Sequence, residues 1–400
     1  MNLLNYLDRY VPSAVKDLFK HDLGLSDAET SYPLTAFVIV YMLSSPFFGS
    51  LADRMSRKVL IAVGVAIWSV ATAAGALAVG FWSFLAARAM VGIGEAAYAT
   101  ISPSLISDYF EPARRNRVLT LFYTAIPVGT ALGFVIGGAV GEHWGWRHAF
   151  LICGLPGLAA AGLALMMKEP PRGGTDLEES TEAAPNWPEA LRLLAHNREY
   201  VIAVAGYTAV TFAAGAMADW FMTYLVRYRG LGMTEAGNLM GPAVVLGGLG
   251  GTVVGGLLGD WLGSRTRNPY FALSCLSMLP SILFAIAALL VTGRTAIFVS
   301  ILLAQFFLWF YNGPINAILV NCVAANMRAR AFSLSILAIH LLGDAISPAI
   351  VGALSDWTGN LFGAMCLIPL TMLLGSILWG WGWRVLPEHP ELLETAAAHH

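Results

Sequence analysis

The sequence predicts an all-α membrane protein of twelve spanning helices in two pseudo-symmetric six-helix bundles. Three observations carry that expectation: a surplus of apolar residues, long windows without charge, and a motif that recurs at the same place in each half. The 400-residue chain is 57% hydrophobic and 12% charged, whereas globular chains are roughly 25% charged and 45–50% apolar. The surplus needs lipid to face.

Windows such as Thr30–Ala52, Val59–Ala87, Val118–Gly141 and Trp357–Trp383 contain no Asp, Glu, Lys or Arg. About 20 apolar residues span a bilayer core, so the windows read as helices near 1–20, 31–52, 58–79, 82–108, 117–141 and 147–167 in the first half. In the second half they read near 199–226, 235–259, 269–291, 295–324, 331–355 and 359–384. Alternation of apolar and polar residues at period two, the signal of a membrane barrel, is missing. The chain therefore divides into an N-terminal bundle at 1–167, a linker at 168–198, a C-terminal bundle at 199–385 and a tail at 386–400. The linker carries Pro170, Pro171, Gly173 and Gly174 beside the acidic run Asp176, Glu178, Glu179 and Glu182. Ala396–His400 read as an expression remnant and are set aside.

Basic residues set the expected orientation. With the amino terminus inside, Arg54, Arg57, Lys58, Arg114, Arg115, Arg117, Lys168, Arg172, Arg192, Arg198, Arg265, Arg267, Arg328, Arg330 and Arg384 fall on the cytoplasmic side. The opposite side collects only Lys16, Lys20, Arg147, Arg227, Arg229 and Arg294. Both termini are therefore expected in the cytoplasm, in a bacterial inner membrane. The first helix is short and polar, with Asn2, Asn5, Asp8 and Arg9, as if its cytoplasmic turns were missing.

Cys153, Cys275, Cys322 and Cys366 all lie in apolar windows without a CxxC or a His cluster, which argues against a metal site and for inert packing. A net charge of -2 gives no sign of a nucleic-acid partner.

The strongest local motif is Gly49-Ser-Leu-Ala-Asp53-Arg54-Met-Ser-Arg57-Lys58, whose weaker twin is Gly256-Leu-Leu-Gly-Asp260. It resembles the signature between the second and third helices of the major facilitator superfamily. Gly49 would let a neighbouring helix approach closely. Asp53 would sit against the positive end of a helix from the other half, so that Gly49, Asp53, Arg54, Arg57 and Asp260 form a cytoplasmic gate latch. Arg115-x-Arg117 likewise recurs as Arg328-x-Arg330. Both repeats are offset by about 210 residues, as duplication of a six-helix unit requires.

Charge inside a span is costly and marks pathways or proton relays by default. Arg88 and Glu95 lie seven residues apart in the fourth helix, on one face and about 10 Å apart along the axis. Asp8 and Arg9 supply a second charged pair, and the expected pairings are Arg9 with Glu95 or Asp8 with Arg88. In the second half, His340 and Asp344 share a face and could titrate. Asn312 and Asn316 could line the cavity or bond neighbouring helices. Asp219 reads as a gate or an interface residue, and Asn5 and Tyr98 as further candidates to touch a substrate.

Asn2-Leu-Leu-Asn-Tyr-Leu-Asp-Arg9, Arg88-Ala-Met-Val-Gly-Ile-Gly-Glu95-Ala-Ala-Tyr98, Ile126-Pro-Val-Gly129 and Lys168-Glu-Pro-Pro-Arg-Gly173 resemble the spinster branch of that superfamily. The resemblance is dense over 1–173 and thin beyond. It implies export of lysophospholipid or sphingosine phosphate, proton-linked in some members, with Asp8, Arg9, Arg88 and Glu95 matching the branch's charged residues. The expected activity is proton-coupled alternating-access transport of a lysolipid or similar amphipathic anion by a monomeric unit amid membrane lipids. No cofactor beyond the proton gradient is expected. Another small organic anion, a sugar acid or a drug is the alternative substrate. From other classes, an intramembrane lipid enzyme lacks any Gly-x-Ser-x-Gly or His-Glu-x-x-His set, and nothing favours a non-transporting receptor.

Overall fold

The charge-free windows fold as helices because no water competes for their backbone groups inside a bilayer. The computed structural model describes residues 1–52, 54–110, 112–170, 186–263, 266–324 and 327–386. In chain order the first helices are α1 (Asn2–Ala14), α2 (Lys16–Leu23), α3 (Asp27–Ala52), α4 (Arg57–Gly75), α5 (Phe81–Tyr109), α6 (Pro112–Trp144), α7 (Trp146–Gly154) and α8 (Pro156–Met166). After α9 (Trp187–His196) come α10 (Arg198–Arg229), α11 (Met233–Gly263), α12 (Pro269–Leu290) and α13 (Arg294–Leu308). A tight turn of helix, Trp309–Tyr311, leads into α14 (Asn312–Asn321). Then α15 (Arg328–Ile339) widens over His340–Asp344 before α16 (Ser347–Thr358), and α17 (Leu361–Met365) and α18 (Leu367–Val385) close the chain.

Among the described residues, 11 helical stretches are long and apolar enough to cross a membrane. The expected first span differs. Its 13-residue α1 rises about 20 Å, short of the roughly 30 Å hydrocarbon core. Pro12 lacks the N–H that would bond the Asp8 carbonyl, and the helix breaks at Val15, with φ -114° and ψ 19°. The expected linker also holds more structure than its composition suggests, since α9 forms within it. Asn186 accepts the Glu189 backbone N–H at 3.0 Å, a side-chain cap at the start of α9. The acidic run at 176–182 lies outside the described residues.

By contacts the chain forms two units, and their boundaries within the described residues fall inside helices. Unit 1 is Met1–Glu179 with Ala218–Gly241 and Pro348–Ala364; unit 2 is Ser180–Met217, Pro242–Ser347 and Met365–His400. In unit 1, α1 packs along α6, and α5 packs against both α3 and α4. The interior of that packing is built on buried Phe37, Val65, Trp68, Val91 and Ile101. In unit 2, α12 packs against α13 and α18.

Candidate functional site

Two glycines seat the charged stretch of α5. A Cβ on Gly94 would stand 2.5 Å from both the Gly64 carbonyl oxygen and the Trp68 backbone nitrogen, and one on Gly92 would stand 2.5 Å from the Phe37 carbonyl oxygen. Backbone therefore meets backbone between α5 and its neighbours α3 and α4, the close approach that small residues permit in membranes. This contact drives Arg88 and Glu95, 1% and 0% exposed, into the interior of unit 1.

There Glu95 meets α1. Arg9 Nη2 donates to Glu95 Oε2 at 2.6 Å, the first of the two expected pairings. The Arg9 guanidinium also lies over the rings of Tyr6, Phe37 and Tyr41, at 4.8, 4.9 and 5.6 Å from their centroids. Rings at this range hold a cation through their quadrupoles. The Arg88 guanidinium lies over the same Phe37 ring, 5.4 Å from its centroid.

The second expected pairing, Asp8 with Arg88, does not form as an ion pair. Both Arg88 terminal nitrogens are buried without a hydrogen-bond partner, as are Glu95 Oε1 and Asn5 Nδ2, and the buried Asp8 carboxylate has the Trp68 indole beside it. Asp8 is 1% exposed and feels the charges of Glu95 and Arg88. Fully ionised, Asp8, Arg9, Arg88 and Glu95 sum to zero charge. Protonating either carboxylate leaves a net positive site with uncommitted guanidinium donors, and an oxyanion satisfies such donors best. Tyr98 is 4% exposed, and its ring stands edge-on to Trp68 at 5.3 Å, so it packs the wall beside this cluster.

A second polar assembly in unit 1 was not expected from sequence. Lys16, counted above among the external cations, is 2% exposed and ion-paired with Asp219. Ser13 Oγ and Ser31 Oγ donate to the same carboxylate at 2.8 and 3.1 Å, and the Lys16 ammonium sits 3.7 Å over the Trp220 ring. Next to it, Arg227 bridges Asp17 at 2.5 Å and Asp27 at 2.8 Å. Lys20 and Ser355 complete the shell of Asp27 at 2.5 and 2.7 Å. Asp356 accepts the Asp27 and Ala28 backbone N–H groups at 2.9 and 2.8 Å, an acid at the positive end of α3. The only hint in sequence was Asp219 itself, an acid in an apolar helix that needs a cation nearby.

The expected latch turns on Asp53. Asp53 lies outside the described residues, and Arg54 and Asp260 are exposed. Arg57 is 4% exposed and ties three segments of unit 1 together: it pairs with Asp108 and with Glu169 at 3.5 Å, and it donates to the Pro170 carbonyl at 3.0 Å. Gly49 corrects the sequence expectation. A Cβ there would meet only Thr100 Cγ2 at 3.7 Å, and one on Gly256 would meet nothing within 4 Å, so neither glycine is needed for close approach.

In unit 2 His340 Nδ1 stands 3.0 Å from each Asp344 oxygen, within the widened turn that follows α15. A Cβ on Gly215 would stand 2.6 Å from Asp344 Cβ, so that turn packs directly on α10. Asn316 Nδ2 donates to the Asn312 carbonyl at 2.6 Å, and the Asn316 side chain also bonds Tyr207. Tyr207 and Tyr311 are 5.2 Å apart; Tyr311 belongs to an aromatic run whose sequence reads as lipid-facing or packed, and Tyr207 is a polar aromatic that sequence reasoning passed over inside an apolar window.

Many apolar spans around buried, partly unmatched charges define a polytopic membrane transporter. The family model of the Major Facilitator Superfamily matches residues 1–348. Protein spinster of Drosophila melanogaster is 35% identical over 369 residues, 89% of this chain and 60% of the fly protein, so the chain spans a little under two thirds of that relative. Protein spinster homolog 1 of Homo sapiens is 35% identical over 382 residues, 89% of this chain and 71% of the human one. The sphingosine-1-phosphate transporter SPNS2 of Danio rerio is 31% identical, over 94% of this chain and 81% of its own length. A crystal structure of a bacterial homologue of the human lysosomal transporter spinster, inward-facing and unoccupied, shares the fold. Its TM-score is 0.79 at 23% identity, covering 99% of this chain and 95% of that one. The chain belongs to the Major Facilitator Superfamily, as a spinster-like, multi-pass integral membrane transporter.

Proposed function

We propose that the chain is a proton-coupled secondary transporter that moves a lysolipid or similar amphipathic anion by alternating access, with both termini in the cytoplasm of a bacterial cell. The observation that carries this is the cluster of Asp8, Arg9, Arg88 and Glu95, buried and electrically balanced yet rich in unmatched donors and acceptors. Proton uptake on Glu95 would release Arg9 from its only ion pair in that cluster. The cavity would then hold two arginines against one acid, and an anionic headgroup supplies the missing charge. The rings of Tyr6, Phe37 and Tyr41 keep Arg9 in place during that exchange. A relative whose name specifies a sphingosine phosphate supports an amphipathic phosphate as the cargo. His340 and Asp344 add a second titratable pair in unit 2, and Asn5 and Tyr98 line the first site.

The test is flux of labelled lysophospholipid in proteoliposomes with and without an imposed pH gradient. Wild type should respond to the gradient, and Glu95→Gln, which cannot exchange a proton, should fall to the level of empty vesicles. Gradient-driven flux surviving in Glu95→Gln would overturn the coupling assignment. Absence of lysolipid flux alongside transport of a sugar acid or another organic anion would overturn the substrate.

A further inference from the structure

We infer that α9 is a membrane-surface helix that holds the phosphate of an anionic lipid headgroup on Arg330. The inference stands apart from the transport site and uses residues of unit 2 alone.

Position comes first. His196 ends α9, and Arg198 begins a 32-residue span, so α9 must lie at the boundary of the apolar slab. Asn197 fixes it there: its Nδ2 donates to the Cys322 carbonyl just past α14 at 2.7 Å, and its Oδ1 accepts the Tyr200 N–H at 3.0 Å.

The faces come second. At 100° per residue, Trp187, Ala190, Leu191 and Leu194 share one side of α9. Ala190 and Leu194 are 0% and 2% exposed, whereas Trp187 and Leu191 remain 51% and 49% exposed. Glu189, Arg192 and His196 are exposed on the remaining sides, where Leu193 is the one large apolar residue, 49% exposed. A short helix with a half-open apolar face, an aromatic at its start and basic neighbours is the arrangement that settles into a headgroup layer.

Arg330 supplies the specificity. Its guanidinium lies 5.3 Å over the Trp187 ring, and Nη1 is buried with no hydrogen-bond partner. Leaving such a donor unmatched is costly, and a phosphate oxygen matches a guanidinium in geometry and charge. Arg330 belongs to the Arg-x-Arg repeat that the transport site leaves unused, and Arg192, Arg198 and Arg328 add positive charge on the adjoining helix ends. Anionic lipid is attracted to such a surface.

The experiment uses the full chain in nanodiscs, with Cys275, Cys322 and Cys366 replaced by Ala. A nitroxide at Leu191→Cys should be relaxed more by oxygen than by a water-soluble nickel chelate, and one at His196→Cys the reverse. In phosphatidylglycerol-containing discs the wild type should melt at a higher temperature than in pure phosphatidylcholine. Arg330→Gln should lose at least half of that shift, Arg330→Lys less, and added inorganic phosphate should not reproduce it. Equal nickel access at both labels, or a Leu191 label closed to both reagents as under a protein cover, would overturn the helix placement. A full phosphatidylglycerol shift in Arg330→Gln, or an equal shift with inorganic phosphate, would overturn the lipid site. If Arg330→Gln fails to fold, the label pair on an intact Arg330 still decides placement, and Arg330→Lys decides the headgroup.

Discussion

Removing the Asp219 carboxylate isolates a charge that has nowhere to go. In Asp219→Ala the Lys16 ammonium, 2% exposed, keeps one hydroxyl acceptor, Ser31 Oγ at 3.2 Å, and the face of Trp220. Breaking a buried pair by removing one partner typically costs about 3–5 kcal/mol. That range includes the bonds from Ser13 and Ser31, about 1 kcal/mol each. Replacing both partners with apolar residues of similar size, Lys16→Met with Asp219→Leu, removes both charges together. Its cost should be far smaller, about 0–2 kcal/mol. Unfolding of purified protein in mixed micelles with rising dodecyl sulfate, followed by tryptophan fluorescence, reads Asp219→Ala, Lys16→Met alone and the double variant against wild type. The reasoning fails if Asp219→Ala costs under about 1 kcal/mol, or if the double variant costs as much as the two single ones together.

Other perturbations separate the remaining claims. Gly94→Ala forces a Cβ into the backbones of Gly64 and Trp68 and should abolish a monodisperse peak on size exclusion, whereas Gly49→Ala, with 3.7 Å of room, should elute as wild type. Burial acts to raise the Glu169 carboxyl, but the Ser56 hydroxyl, the Arg57 N–H and the Arg57 guanidinium outweigh it and hold it below the ordinary 4.5. A depressed carboxylate stabilises above its unfolded value and loses that contribution as pH falls through the folded one. The melting difference between wild type and Glu169→Gln should therefore be present at pH 7 and shrink below about pH 4.5; a difference that grows on acidification contradicts this. Phe37→Leu removes a ring shared by Arg9 and Arg88 and should weaken lysolipid affinity more than maximal flux; an unchanged apparent KM in the proteoliposome assay would refute a role for that ring.

Spans were legible because charge exclusion over about 20 residues is a long-range signal that local detail cannot blur. The Arg9–Glu95 pair was legible for a related reason: few ionisable groups lie inside the apolar windows, and a buried acid must find one of the cations. Three features were not legible. Lys16 follows a helix whose break depends on Pro12 and Val15, and a basic residue near an expected helix end reads as a loop anchor until the break turns it inward. The glycines misled for a different reason. Spacing alone does not distinguish Gly92 and Gly94, which touch neighbouring backbones, from Gly49, which touches only a methyl group. The helix α9 hid in a Pro-rich, acidic stretch, although Asn186 followed three residues later by Glu189 is a start signal that could have revealed it.

The Lys16 assembly also sets a timetable for biosynthesis. Lys16 emerges 203 residues before Asp219, and Asp27 emerges 328 residues before Ser355. At roughly 5–20 residues per second, Lys16 waits about 10–40 s for its acid, while Asp27, paired from the start with Lys20, waits only for its hydroxyl donor Ser355. During that interval the early helices carry unmatched charge that only headgroups, water or the insertion machinery can shelter. Unit 1 therefore cannot mature as the first part of the chain is made; it closes only when Pro348–Ala364, nearly the last segment to be synthesised, docks against the first.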